Sequence, residues 1–133
     1  MGNRIVPKPE FYAGSQESLR AKAGDRVCFN HQQSELDVRS KATLKRVAKW
    51  LVENPERGLV LEGHAKQRAT REYSVGISVD RLHLVAGFLK KSGVSQKKLR
   101  LRPYGKERAN VLCKGDFTAV YLIPVRNNGQ GFP

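Results

Sequence analysis

Apolar and polar positions along the chain follow two periods, one typical of amphipathic helices and one typical of strands. The clearest helical period predicts a helix that begins after Asp37, a favourable N-cap. We expect it to end at Asn54, because the residue before Pro55 disfavours helical backbone angles. We place Trp50 at the partly exposed edge of this helix. Its buried stripe follows the i, i+3, i+4, i+7 spacing and consists of Leu44, Val47, Ala48 and Leu51.

The remaining pattern predicts a second helix and a set of strands. The helix runs from about Tyr73 to Ser92, with Gly93 as its C-cap. Its apolar positions are Ile77, Leu84, Val85, Phe88 and Leu89. Strands are predicted from short apolar or alternating runs bounded by turn residues, at Asp25–His31, Gly58–Gly63, Lys98–Tyr104 and Phe117–Val125, with a very short one at Phe11–Tyr12.

The element order is strand, helix, strand, helix, strand, strand, which predicts an α/β (α+β) two-layer sandwich. In this βαβαββ arrangement the two main helices cover one face of a small mixed sheet. The length of 133 residues suits one domain. We assign residues 1–22 to a flexible leader, residues 23–126 to the domain and residues 127–133 to a disordered tail.

The net charge of the chain adds anionic polymers to the ligands that the domain could bind. The formal net charge is +13, and a strongly basic surface attracts anionic polymers such as nucleic acid, lipid head groups or acidic glycans. The charge concentrates in Lys90–Arg108, where the alternative is a solvated face that aids solubility. The sequence has no run of about 18 apolar residues that could span a bilayer and no apolar signal-peptide core.

The residue types that carry catalysis or bind metals form no recognisable motif. His31, His64 and His83 are too scattered for a metal site, and no nucleophile elbow or phosphate-binding loop is present. We therefore expect neither an enzyme nor a cofactor. Cys28 and Cys113 could pair in an oxidising compartment, but two cysteines make no disulfide framework, and we expect unpaired thiols.

The most informative segment is "LEGHAKQRATREYS", which starts at Leu61. It closes a strand, passes through a polar loop and opens a helix. A strand end beside a helix start makes a concave edge with exposed N–H groups, where ligands are often bound. The alternative is a plain connection between a strand and a helix.

Five segments together resemble the OmpA-like carboxy-terminal domain family, closest to its peptidoglycan-associated lipoprotein branch. In order they are "GDRVCFNHQQSEL", "LEGHAKQRATREYS", "DRL" at 80–82, "SGV" at 92–94 and "YGKER" at 104–108. The resemblance implies a non-enzymatic periplasmic domain that holds the outer membrane to the cell wall. It further implies non-covalent binding of the diaminopimelate of the peptidoglycan stem peptide and, in that branch, a TolB-like protein partner. Attachment to the outer membrane would require a lipidated segment outside this chain.

The resemblance also implies a set of ligand-binding residues, part of which this sequence changes. The family's helix arginine is retained as Arg81, but Lys66 stands where the family has an aspartate. The first strand reads Phe29-Asn30, without the two usual acids, and the arginines that usually open the last strand are missing at 116–118. The predicted groove consists of Phe29, Asn30, Gly63, His64, Lys66, Tyr73 and Arg81.

Three functions remain open at this point. The first is peptidoglycan binding that is weakened or altered at the diaminopimelate site, because the carboxylate that would pair with the ligand's ammonium is absent. The second is a module for a Tol-type protein partner without wall binding. The third is a basic binder of anionic polymers, including nucleic acid or lipopolysaccharide, through Lys90–Arg108; no feature of the sequence points to a specific nucleic acid.

Overall fold

The computed structural model describes residues 13–30, 34–66, 71–105, 113 and 117–127. Within these ranges the predicted βαβαββ order is found, with one helix added at the start. A short 3₁₀ turn, Gln96–Lys98, precedes the third strand. In chain order the helices and strands are α1 (Gln16–Lys22), β1 (Arg26–Asn30), α2 (Val38–Glu53), β2 (Arg57–Lys66), α3 (Arg71–Lys91), β3 (Leu99–Gly105) and β4 (Phe117–Arg126).

The four strands form one mixed sheet in the order β1-β4-β2-β3, which confirms the α/β class. β4 is antiparallel to both β1 and β2, whereas β2 and β3 are parallel. One face of the sheet joins the helices in a single core. This core unites Leu19 of α1, Leu44 of α2 and Val85 of α3 with alternate residues of the strands, such as Val27 and Leu122. Alternate residues of a strand point to opposite faces, so the other face is left to a second set of side chains.

Helix α2 forms where the sequence predicts it and for the predicted reason. The Asp37 side chain accepts a hydrogen bond from the Ser40 backbone N–H at 2.8 Å, which satisfies one free donor of the first turn. This bond lowers the pKa of the Asp37 carboxyl below its ordinary value. The whole predicted stripe is buried: Leu44, Val47, Ala48 and Leu51.

Helix α3 ends at the predicted glycine. Gly93 has a φ of +102°, a conformation that side chains with a Cβ rarely adopt. Its N–H bonds to the Lys90 carbonyl, and the Val94 N–H bonds to the Leu89 carbonyl, each at 3.0 Å. These two bonds form a Schellman motif, so the C-cap prediction is confirmed.

The predicted leader is wrong for residues 16–22, which form helix α1. Ser15 caps this helix by accepting a bond from the Ser18 N–H at 3.0 Å, and Leu19 is fully buried in the core. The sequence pattern did not reveal α1 because a seven-residue helix contributes only one large apolar side chain to the core. The strand predicted at Phe11–Tyr12 lies outside the described residues.

The burial of Trp50 is a second correction. We expected an exposed edge, but Trp50 is 1% exposed because α1 packs against α2 at this position. The indole Nε1 donates a hydrogen bond to the Ser18 hydroxyl at 3.1 Å. A buried indole normally finds such a partner, and here the missed helix supplies it.

Two further expectations are overturned at the level of single residues. Asn127 was placed in the disordered tail, but it is 5% exposed and its side chain donates to the Lys97 carbonyl at 3.0 Å. Cys28 and Cys113 were expected to be unpaired, but they form a disulfide with Cα atoms 6.1 Å apart. The two cysteines are 85 residues apart in sequence, so only the fold could show their proximity.

No helix among the described ranges is long and apolar enough to cross a membrane.

Candidate ligand groove at the end of the sheet

The candidate groove lies where three neighbouring strands reach one end of the sheet. Thr118, near the start of β4, pairs with Phe29 of β1 on one side and with Ala65 of β2 on the other. All three residues are fully buried. Helix α3 packs over this end, and the guanidinium of its Arg81 lies over the ring of Phe29 in β1.

Gly63 lets α3 approach the sheet closely. A Cβ at this position would lie 3.0 Å from the Ser78 Cβ and 3.2 Å from the Leu82 Cγ, which is tighter than ordinary contact. The absence of a Cβ at Gly63 therefore allows the short distance between α3 and the sheet. This is a structural role for the glycine of the "EGH" segment.

Arg81 is the charged group of this groove. It is 8% exposed, and its guanidinium carbon lies 5.4 Å from the centroid of the Phe29 ring. This stacking is a cation–π contact, which is stronger when the cation is removed from water. Among the described residues, no acidic side chain lies within ion-pair distance of Arg81, and its buried Nε has no hydrogen-bond partner.

Two hydroxyl groups share this property. The side-chain oxygens of Ser78 and Thr118 are buried, and in the described ranges neither has a hydrogen-bond partner. Ser78 lies one helical turn before Arg81 and therefore on the same side of α3. Buried polar groups are normally paired. Arg57 Nε and His64 Nδ1 are also unpaired in the described ranges, but Arg81, Ser78 and Thr118 lie on the same, helix-covered side of this end of the sheet.

The chemistry that this arrangement can perform is binding of an anion. A buried guanidinium is costly without a counter-charge, and a carboxylate is its strongest planar partner. Serine and threonine hydroxyls can donate a hydrogen bond to the same group. In the described part of the chain, no group of three His, Cys, Asp or Glu side chains could hold a metal ion.

Three other predicted groove residues lie at the ends of the strands and the helix. Asn30 is the last residue of β1 and is exposed, and Tyr73 lies in the first turn of α3 with 57% of its surface exposed. The backbone of Lys66 pairs with Phe117 at the end of β2. These three residues mark the ends of the elements that surround Arg81.

His64 is not brought together with Arg81. It is 2% exposed and lies on the opposite face of β2 from Gly63. There its ring stacks on Tyr104 at 5.3 Å and meets Tyr121 edge-on at 5.7 Å. Its Nε2 lies 3.2 Å from a Glu62 carboxylate oxygen. This contact fixes His64 within the sheet face that carries the disulfide.

Sequence reasoning missed Ser78 and Thr118 as groove residues. The spacing of Ser78 and Arg81 on one helix was a usable signal, because residues three apart share a helix face. No comparable signal existed for Thr118, since its place between Phe29 and Ala65 depends on the strand order.

The chain is thus a two-layer α/β domain with three unpaired buried polar side chains, Arg81, Ser78 and Thr118, at one end of its sheet. The model of the OmpA family matches residues 28–116, and the chain belongs to this family, whose members are not enzymes. This match confirms the resemblance drawn from the sequence motifs.

Individual relatives agree with the family match. The peptidoglycan-associated lipoprotein of Rhizobium meliloti (strain 1021) is 35% identical over 100 residues, covering 75% of this chain and 57% of the relative. That of Pseudomonas aeruginosa is 39% identical over 80 residues, covering 60% of this chain and 47% of the relative. The chain thus spans only about half the length of these two relatives.

A solved structure shows the same fold at lower identity. The crystal structure of the peptidoglycan-associated lipoprotein from Burkholderia pseudomallei superposes with a TM-score of 0.67 at 22% identity. The match covers 76% of this chain and 90% of that one. The OmpA-like architecture predicted from the sequence is therefore confirmed.

Proposed function

We propose that the chain is a non-enzymatic, periplasmic cell-envelope domain that binds peptidoglycan without a covalent bond. One observation carries the proposal: a buried arginine, Arg81, whose Nε has no partner in the described ranges, beside two buried hydroxyls in the same condition. The names of the relatives, peptidoglycan-associated lipoproteins, supply the ligand class. The stem peptide of peptidoglycan carries the carboxylates that such a site would bind.

The chemistry of this groove differs from one built for the whole zwitterion of diaminopimelate. Lys66 replaces an acid, and Asn30 stands where the family resemblance implies another. Loss of a carboxylate that pairs with a desolvated ammonium costs about 3–5 kcal/mol. We therefore propose that the site binds stem-peptide carboxylates through Arg81 and is weakened toward the ammonium of diaminopimelate.

The Cys28–Cys113 disulfide supports the compartment. Disulfides persist in oxidising environments such as the bacterial periplasm and are rare in the cytosol. This agrees with a domain that works between the outer membrane and the cell wall.

An alternative function is a module for a Tol-type, TolB-like protein partner. The observation in its favour is Tyr73, a large aromatic side chain with 57% of its surface exposed in the first turn of α3. Exposed tyrosines are enriched at protein interfaces. A protein partner bound at Tyr73 would compete with a ligand in the groove. Peptidoglycan binding at the groove, by contrast, requires no protein partner.

The test is a titration of ¹⁵N-labelled protein with a soluble muropeptide that contains diaminopimelate. We expect localised, saturable amide shifts in residues 29–30 and 63–82. Arg81→Gln should weaken binding by about tenfold or more, the value of a charge-assisted hydrogen bond. Arg102→Gln removes an equally charged but exposed arginine from β3 and should change nothing.

Lys66→Asp sharpens the test because it restores the acid. It should tighten binding of the diaminopimelate muropeptide and leave binding of a stem peptide without the side-chain ammonium unimproved. Absence of amide shifts at millimolar muropeptide would overturn wall binding through this peptide and leave the protein-partner alternative.

A further inference from the structure

The outward face of helix α2 carries a stripe of cations that the proposed function does not use. Lys41, Lys45 and Lys49 follow one another at every fourth residue, so they stand one above the other on one side of the helix. All three are exposed. At the two ends of the same stripe stand Val38, 84% exposed, and Val52, 77% exposed. We call these five residues the lysine stripe.

The charges of the lysine stripe do not stabilise the helix that carries them. Like charges at a spacing of four residues repel each other and destabilise a helix. The first turn of α2 has no acidic residue and the last turn has no basic one, so apart from the Asp37 cap the helix lacks the charges that its dipole favours. The buried face of α2 and its Asp37 cap stabilise the helix. Helix stability therefore does not explain the lysines on its outward face.

The surroundings of the stripe do not neutralise it. None of the ion pairs in the described ranges involves Lys41, Lys45 or Lys49. Arg46, beside them on α2, is exposed too and donates a hydrogen bond to the Ala23 carbonyl at 3.3 Å. The stripe is therefore a surface of concentrated positive charge within a chain that is already strongly basic.

An apolar groove adjoins the lysine stripe through Lys41. It lies between α2 and α3, with a volume of about 270 Å³, and its apolar lining includes Leu36, Leu84 and Phe88. Lys41 and Lys91 are the lysines among its lining residues, and Glu35 is the one acidic lining residue in the described ranges. Apolar surface and ammonium groups thus occur side by side at this end of the stripe.

We propose that the lysine stripe and this groove form a docking surface for an anionic lipid membrane. A membrane offers a plane of negative head groups over apolar chains, which complements a row of lysines with exposed valines at its ends. The stripe spans fourteen residue steps, or about 21 Å along the helix, which is long enough to contact several head groups at once.

The valines distinguish a membrane from a soluble polyanion. A nucleic acid or acidic glycan is bound through charge, and exposed valines contribute little to such a contact. A lipid interface gains from apolar side chains that enter the head-group region, while lysine stems lie along it. The lysine stripe lies on α2, and the groove is lined from the second half of α3 without Arg81, so the inference does not depend on peptidoglycan binding.

The experiment is co-sedimentation of the full chain with vesicles of mixed phosphatidylglycerol and phosphatidylcholine, against vesicles of phosphatidylcholine alone. The test variant is Lys41→Gln/Lys45→Gln/Lys49→Gln. Each lysine near an anionic surface contributes about a factor of five to the affinity. The triple variant should therefore bind phosphatidylglycerol vesicles about a hundredfold more weakly. The matched control is Lys97→Gln/Arg102→Gln/Arg126→Gln, which removes the same charge from exposed positions outside α2.

A second variant, Val38→Ser/Val52→Ser, tests the lipid directly. It should weaken vesicle binding severalfold and leave binding to heparin, a soluble polyanion, unchanged. Equal losses for the lysine variant and its matched control would overturn the proposal in favour of unspecific charge attraction. Tight heparin binding with no preference for phosphatidylglycerol vesicles would overturn it in favour of a soluble anionic polymer. Circular dichroism checks that each variant is folded.

Discussion

The two ends of strand β1 differ in how they treat buried polar groups. At the end where the strand begins, Asp25 is 7% exposed and its carboxylate accepts bonds from Arg20 at 2.9 Å and Gln16 at 3.3 Å. Its backbone carbonyl accepts from the Leu122 N–H at 2.8 Å. At the other end, beyond Phe29, Arg81 Nε and the Thr118 hydroxyl are buried without a partner in the described ranges.

The end where β1 begins, which we call the partnered end, stabilises the fold. Helix α1 covers Trp50 there, and the indole donates to Ser18, while the Asn54 side chain donates to the Trp50 carbonyl at 2.9 Å. Here the polar groups discussed are satisfied within the fold, so none of them needs a ligand. Burial of Asp25, Ser18 and Trp50 therefore contributes to the free energy of unfolding without a cost from unpaired atoms among them.

The buried polar groups at the groove end lack such partners in the described ranges. An unpaired buried polar atom costs about 1–3 kcal/mol, so a cluster of them is retained only where something compensates. A ligand that satisfies Arg81, Ser78 and Thr118 would recover this cost on binding. Among the groups compared, the unpaired ones lie at the groove end and the paired ones at the start of β1; in the described ranges Arg57 Nε and His64 Nδ1 are also buried without a hydrogen-bond partner.

The largest effect is expected for Trp50→Ala at the partnered end. It removes a side chain that is 1% exposed and leaves the Ser18 hydroxyl without its indole donor, so we expect a loss of about 3–5 kcal/mol in the free energy of unfolding. Urea unfolding followed by circular dichroism measures this loss. Val52→Ala on the exposed side of the same helix is the control and should stay within about 0.5 kcal/mol. A loss below about 1 kcal/mol for Trp50→Ala would contradict the covering role of α1.

A smaller effect is expected for Asp37→Ala at the start of α2, in the connection that follows the groove end of β1. Loss of this N-cap should cost about 1 kcal/mol at neutral pH. The fold lowers the pKa of Asp37 through the bond from Ser40. The contribution of Asp37 to the free energy of unfolding is therefore fully present above the pKa that Asp37 has in the unfolded chain. It is lost as the pH falls through the lower pKa of Asp37 in the folded protein.

Urea unfolding at neutral and acidic pH measures this second effect. The difference between the wild type and Asp37→Ala should narrow below about pH 4. Asp37→Asn is the control, because asparagine caps equally well but does not titrate. A cost that is the same at both pH values would show that the charge of Asp37 contributes nothing.

The sequence was sufficient to predict those helices and strands whose apolar spacing is contained within one continuous segment. Helices α2 and α3 and the strands could be predicted because their spacing and end signals lie within each segment. Helix α1, the burial of Trp50 and the Cys28–Cys113 bridge could not, because each depends on contacts between distant parts of the chain. Arg81 was found by resemblance to a family, whereas Thr118 becomes a groove residue only once β4 lies between β1 and β2.

The smallest single effect is expected for Ser78→Ala at the groove end, and its comparison with Ser18→Ala at the start of β1 is the most direct test of the difference between the two ends. Ser18 and Ser78 are both helical and buried, at 4% and 0% exposure. Ser18→Ala deprives the Trp50 indole of its acceptor and should cost about 1–2 kcal/mol. Ser78→Ala removes a hydroxyl without a partner in the described ranges and should be neutral or stabilising by about 0.5 kcal/mol. The gain in helix propensity is common to both changes and cancels between them. Urea unfolding of the ligand-free protein gives the sign of each change, and equal losses for both serines would mean that the two ends do not differ.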